Sequence, residues 1–123
     1  MKLRVRGSSL RLRVTRGEVE QLRAGAVVAE SVAFGSGSLI YALTVADVPA
    51  MRASFDGGRI EVTLPRAQAE RWLRSEEVGM QARQEVGEGG PLQLLVEKDF
   101  ACLKPRQGED DADAFPHPLT NPR

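Results

Sequence analysis

Alternating basic residues near the start of the chain form the strongest chemical feature of this sequence. They occupy every second position of two adjoining segments: Lys2, Arg4, Arg6, Arg11 and Arg13. Because successive side chains of a strand point to opposite faces, this spacing places all five cations on one face of a hairpin. The planar guanidinium group donates two parallel hydrogen bonds to a phosphate or a carboxylate. The pattern therefore predicts an anion-binding face, to which we add Arg83 from the polar face of a later segment.

A structural role for the same cations is the favoured alternative. They can pair with glutamates on neighbouring strands, and charges on a strand also discourage edge-to-edge aggregation. The glutamates in question are Glu61, Glu85 and Glu97, which are also the alternative candidates for a metal site. No aromatic residue lies among the arginines, whereas proteins that bind single-stranded nucleic acid usually stack bases on aromatic rings. A nucleic-acid partner is therefore disfavoured.

The other residues that could do chemistry do not form a catalytic or metal-binding set. The chain has one cysteine, Cys102, and one histidine, His117, whereas a structural zinc site needs about four soft ligands. The acidic run from 109 to 113 lacks the glycine and the distal glutamate of a calcium-binding loop. We expect no metal and no cofactor, and the lack of a convergent catalytic set favours a non-enzymatic binding or accessory protein.

Hydrophobic alternation predicts an α+β fold with eight strands and two short helices. Residues 10–45 and 60–96 share the order strand, helix, strand, strand, which predicts a duplicated domain over 1–103 with halves at about 1–47 and 50–103. Thr15 and Glu18 have the spacing of a capping box at the start of the first helix. Pro65 suits the start of the second helix.

One face of the predicted strands is apolar throughout, and it includes Val5 and Phe55 at the hairpin ends. Two helices of about nine residues reach only about 14 Å each, which is too short to cover this face. The face must therefore cover itself, either as a mainly antiparallel barrel or closed sheet, or in two layers. We expect the closed form, with the apolar face inside and the charged face in water.

Residues 104–123 are predicted to form an acidic, proline-containing tail without a core of its own. Within it, Phe115 and Pro116 are the expected anchor that holds the tail to the domain. The net charge is zero, and no apolar run approaches the length of a membrane span. A single cysteine suits a reducing compartment. These features predict a cytoplasmic monomer or homodimer without a membrane partner.

Three segments resemble an uncharacterised family of short bacterial proteins. They are the opening Lys2–Gly7, the stretch Glu97–Leu103 and the ending Asp113–Pro118. Members of that family carry a similar Glu-Lys-Asp-Phe-x-Cys-Leu stretch, then an acidic linker and a Phe-Pro-Asn-Pro ending. This chain has His117 in place of the asparagine. The resemblance implies a stand-alone bacterial protein and no particular activity.

The order of elements also resembles that of the CYTH-type triphosphate tunnel enzymes. In that family, interior arginines and lysines hold polyphosphate, and interior glutamates hold a divalent metal. The resemblance implies an alternative function, the binding or hydrolysis of a nucleotide or polyphosphate in a charged lumen. The family opens with Glu-x-Glu-x-Lys, whereas this chain opens with Lys2-x-Arg4-x-Arg6, so the metal-binding carboxylates have no counterpart here.

Overall fold

The computed structural model describes residues 1–99, which form eight strands and two helices. The strands are β1 (Lys2–Arg6), β2 (Ser9–Val14), β3 (Val28–Ala33), β4 (Ser38–Ala46), β5 (Arg52–Asp56), β6 (Arg59–Pro65), β7 (Gly79–Gln84) and β8 (Leu92–Lys98). The helices are α1 (Arg16–Arg23) and α2 (Arg66–Arg74). The α+β class is confirmed. Several sequence predictions lie outside the described residues, namely those on Cys102, the 104–123 tail, Phe115, Pro116 and His117.

The strands form two open four-stranded sheets, not the single barrel or closed sheet that we expected. Sheet 1 has the order β1-β2-β8-β7, and sheet 2 has the order β3-β4-β6-β5. The central pairs β2–β8 and β4–β6 are parallel, and the four hairpin pairings are antiparallel. Alternation shows which face of a strand is buried but not which strand is its neighbour. That is why the sequence did not distinguish one closed sheet from two open ones.

A single apolar core lies between the two sheets and the helices. Sheet 1 contributes Leu12 and Val96, sheet 2 contributes Leu43 and Val62, and α2 contributes the fully buried Trp72. The indole N–H of Trp72 donates a hydrogen bond to the carbonyl oxygen of residue 78 at 3.1 Å. The apolar strand face therefore points inward, and no charged lumen is found within residues 1–99.

Two residues of the predicted apolar face are nevertheless exposed. Val5 is 60% exposed and Phe55 is 72% exposed. Both sit on edge strands next to hairpin turns, in β1 and β5. At these positions the facing sheet no longer covers the strand, so alternation alone overestimated the extent of the core.

Both helices lie at the same end of the two sheets. Helix α1 follows β2, helix α2 follows β6, and the two helices contact each other. The predicted capping box of α1 is confirmed, since the Glu18 N–H donates to the Thr15 hydroxyl at 3.2 Å and the Thr15 N–H donates to the Glu18 carboxylate at 2.9 Å. Pro65 is the N-cap residue of α2. The four hairpin turns therefore gather at the opposite end.

Side chains link the edges of the two sheets. The Gln84 amide of β7 accepts from the N–H of Ala53 in β5 at 2.7 Å and donates to the Ala53 carbonyl at 3.0 Å. Elsewhere the amino group of Met1 pairs with Glu18 at 2.6 Å and with Glu30 on β3. These contacts connect sheets that share no backbone ladder among the described residues.

The pairing of Met1 with Glu18 makes stability depend on pH. Burial of the Met1 amino group favours its neutral form, but hydrogen bonds and attraction to Glu18 and Glu30 outweigh burial and raise its pKa above the ordinary 8.0. Burial acts to raise the pKa of Glu18, but hydrogen bonds from the Met1 amino group and from Thr15 outweigh it and lower the pKa below 4.5. The pair therefore contributes fully only between these two values.

We expect the free energy of unfolding to fall as pH rises through the raised pKa of the amine, and to fall again as pH drops through the lowered pKa of Glu18. Urea unfolding from pH 3 to 10, on the wild type and on Glu18→Gln, measures this dependence. Glu18→Gln should flatten both limbs of the profile, whereas Glu20→Gln, on the exposed side of α1, should leave them unchanged. Equal profiles for wild type and Glu18→Gln would contradict the assignment.

Candidate anion-binding site

Three rows of side chains cross the outer face of sheet 1 and contain all six predicted anion-binding residues. The row nearest the hairpin turns is Arg6, Ser9, Gln93 and Arg83. The middle row is Arg4, Arg11, Leu95 and Gln81. The row nearest the helices is Lys2, Arg13, Glu97 and Gly79. Pairing of β2 with β8 brings Arg83 to the face that carries the N-terminal cations.

A surface cavity of about 620 Å³ occupies the first two of these rows. Four arginines line it, and they define what we call the arginine cavity: Arg4, Arg6, Arg11 and Arg83. The side chains between them are uncharged, chiefly Ser9, Gln81 and Gln93. None of the described residues that line the cavity carries a carboxylate. The arrangement can therefore offer several charge-assisted hydrogen bonds to an anion.

The carboxylates that form ion pairs on this face lie at its helix end. Glu97, whose side chain is only 13% exposed, lies 2.9 Å from Arg13 and 3.1 Å from Arg11. Asp99 lies 3.5 Å from Lys2 and 4.0 Å from Arg13. The alternative role predicted for the N-terminal cations, pairing with carboxylates, therefore applies to Lys2, Arg11 and Arg13.

Arg6 and Arg83 lie at the end of this face nearest the hairpin turns. Within residues 1–99, no carboxylate forms an ion pair with Arg6 or Arg83. Both arginines are exposed. Among residues 1–99, Arg6 and Arg83 therefore lack the carboxylate partner that Arg11 and Arg13 share.

The three glutamates considered for a metal site do not come together. Glu61 lies on β6 in sheet 2, where it pairs with Arg59 at 3.0 Å. Glu97 is on sheet 1, and Glu85 is an exposed residue just after β7. Among residues 1–99 there is no group of three or more side chains able to hold a metal ion.

Sequence reasoning overlooked the environment of Lys98. Its ammonium group donates to the carbonyl oxygen of Ser75 at 2.6 Å and lies 5.7 Å from the centre of the Trp72 ring. Burial lowers the pKa of Lys98, against the opposing attraction of Glu77 and Glu76. Because Ser75 is the C-cap residue of α2, this lysine places a positive charge at the helix C-terminus, where the dipole favours it. Its role is to hold α2 against β8.

Neither of the helices in the described part of the chain is long and apolar enough to cross a membrane.

A comparison with protein families matches residues 1–119 to a family of unknown function. Comparisons with curated proteins and with solved structures give no match.

Proposed function

We propose a function from the geometry of the site, because the chain belongs to a family whose function is unknown, DUF7009. The protein is a small, non-enzymatic binding module that holds a phosphorylated small molecule in the arginine cavity. The observation that carries this proposal is the grouping of four arginines around one cavity without a carboxylate in its described lining. The chain as a whole has no net charge, so the excess of positive charge is local.

Binding is favoured over hydrolysis by the chemistry of the lining residues. Hydrolysis needs a general base or a metal ion close to the reacting phosphate. The described lining offers arginines, amides and one hydroxyl group, and the Ser9 hydroxyl already donates to the carbonyl oxygen of Arg6 at 2.6 Å. None of these groups accepts a proton readily near neutral pH. We also propose a location in the bacterial cytoplasm, which the presence of a single cysteine supports because thiols stay reduced there.

An internal duplication is part of the proposal. Exchanging the two halves, so that β1–β4 become β5–β8 and β5–β8 become β1–β4, converts the order β1-β2-β8-β7 into β5-β6-β4-β3. This is the order of sheet 2 read from its other edge. Corresponding backbone hydrogen bonds also support it, since the N–H of Gln93 donates to Ser8 at 2.8 Å and the N–H of Ile40 donates to Gly58 at 2.9 Å. The arginine cavity lies on sheet 1, which takes β1 and β2 from the first half and β7 and β8 from the second.

Calorimetric titration with pyrophosphate tests the proposed function. We expect binding by the wild type that weakens as salt is raised, because the site is open to solvent and its charges are screened. Arg6→Gln should bind more weakly. Arg52→Gln is the matched control, because it removes an exposed strand arginine from sheet 2 and should leave binding unchanged. Absence of binding at low salt, or an equal loss in both variants, would overturn the proposal.

Removing Glu97 should strengthen anion binding. Its carboxylate compensates Arg11, which lines the arginine cavity. Repulsion between the partly buried Glu97 carboxylate and an anion a few ångströms away weakens binding by about 1 kcal/mol. We therefore expect Glu97→Gln to bind pyrophosphate about three- to tenfold more tightly. Its melting temperature should fall slightly, because Arg11 and Arg13 lose their shared partner. Glu61→Gln, which removes an arginine-paired carboxylate from sheet 2, serves as the control, and unchanged affinity in Glu97→Gln would contradict the expected coupling.

A further inference from the structure

We propose that the ligand of the arginine cavity is a bisphosphorylated sugar or polyol, with a phosphate at each end and hydroxyl groups between. This inference rests on the proposed binding function and adds the class of ligand. It depends on how charge is distributed across sheet 1. Cations stand at both edges of the cavity, whereas Ser9 and Gln93, between Arg6 and Arg83 in the row nearest the hairpin turns, are uncharged.

The arginines stand on strands that are well separated. Arg4 and Arg6 belong to the edge strand β1, and Arg83 belongs to the opposite edge strand β7. The order β1-β2-β8-β7 places three strand spacings between them, or about 14 Å of backbone. A single phosphate would meet both edges only if arginines from both edges extended fully toward the middle of the sheet. Two phosphates joined by a short linker engage both.

The middle of the row between Arg6 and Arg83 is suited to the linker. Ser9 and Gln93 are its two central residues, and Gln81 lies in the adjacent row. Side-chain amides both donate and accept hydrogen bonds, which matches the hydroxyl groups of a sugar or polyol. Beside them is Leu95, a half-buried apolar side chain. A continuous polyphosphate would instead place negative charge above Leu95 and the amides, where no described cation lies directly beneath it.

The two sides of the cavity are also unequal. Three arginines, Arg4, Arg6 and Arg11, surround the β1–β2 side, and Arg83 alone serves the β7 side. A monophosphate should therefore occupy the β1–β2 side. Arg83 then contributes most when the ligand has a second phosphate, so its removal should affect a bisphosphate more than a monophosphate.

Calorimetric titrations at constant ionic strength with fructose 6-phosphate, fructose 1,6-bisphosphate and tripolyphosphate test this assignment. We expect the bisphosphate to bind at least about tenfold more tightly than the monophosphate, and more tightly than tripolyphosphate. Arg83→Gln should remove most of the advantage of the bisphosphate, and it should weaken the binding of the monophosphate much less than that of the bisphosphate. Arg52→Gln, with its exposed arginine on sheet 2, should change neither affinity.

Two results would overturn the inference while leaving the binding function intact. One is equal affinity for the monophosphate and the bisphosphate. The other is a preference for tripolyphosphate that Arg83→Gln does not alter. If no phosphate compound binds to the folded wild type, the binding function itself is wrong, and the assignment of the ligand falls with it.

Discussion

Replacing Trp72 by alanine is expected to lower the free energy of unfolding by about 3–5 kcal/mol. Trp72 has no exposed surface and contributes the largest side chain to the core between the two sheets and the helices. Its loss would leave a cavity and would also remove the N–H donor to the carbonyl oxygen of residue 78. Because small domains unfold at a cost of only about 5–15 kcal/mol, urea unfolding should show a strongly displaced midpoint or an unfolded protein.

Phe55→Ala is the matched control for this prediction. It also truncates an aromatic residue, but Phe55 is 72% exposed at the end of β5. Its removal should change the free energy of unfolding by no more than about 0.5 kcal/mol. If Phe55→Ala destabilised the protein as much as Trp72→Ala, the described core would be wrong, and the wider apolar face inferred from alternation would be right.

The double substitution Arg6→Gln with Arg83→Gln is expected to weaken the binding of fructose 1,6-bisphosphate about a hundredfold or more. Each charge-assisted hydrogen bond contributes about 1.5–3 kcal/mol, and about 1.4 kcal/mol corresponds to a factor of ten. Both side chains are exposed, so the variant should remain folded. Calorimetry measures the affinity, and thermal unfolding checks the fold.

The control for the double variant removes two arginines elsewhere. Arg52 lies on β5 and Arg74 ends α2, and both are exposed. Arg52→Gln with Arg74→Gln lowers the total positive charge by the same amount but should leave affinity nearly unchanged. A similar loss in both double variants would mean that net charge, not the arginine cavity, determines binding.

Local sequence signals predicted the elements of this fold well. Alternation located the strands, and the Thr15–Glu18 spacing located the start of α1, because each signal depends on neighbours within a few residues. The two parallel pairings, β2 with β8 and β4 with β6, join segments far apart in the chain. No local pattern encodes them, and they are what divides the strands into two sheets.

The same limit applies to the site. Alternation correctly grouped the cations of β1 and β2 on one face, since one hairpin holds them together. Whether Arg83 and Glu97 joined that face depended on the pairing of β2 with β8, which the sequence did not reveal. The structure shows that Arg83 lines the arginine cavity, while Glu97, which does not line it, pairs with Arg11 and Arg13.

The most direct test of the central claim is a titration of the isotope-labelled protein with fructose 1,6-bisphosphate, followed through the amide resonances of the backbone and of the glutamine side chains. We predict saturable shifts at Ser9, Gln81 and Gln93, and none on the outer face of sheet 2, for which Ser54 is a reporter. Shifts centred on sheet 2, or no shifts at low salt, would contradict the account.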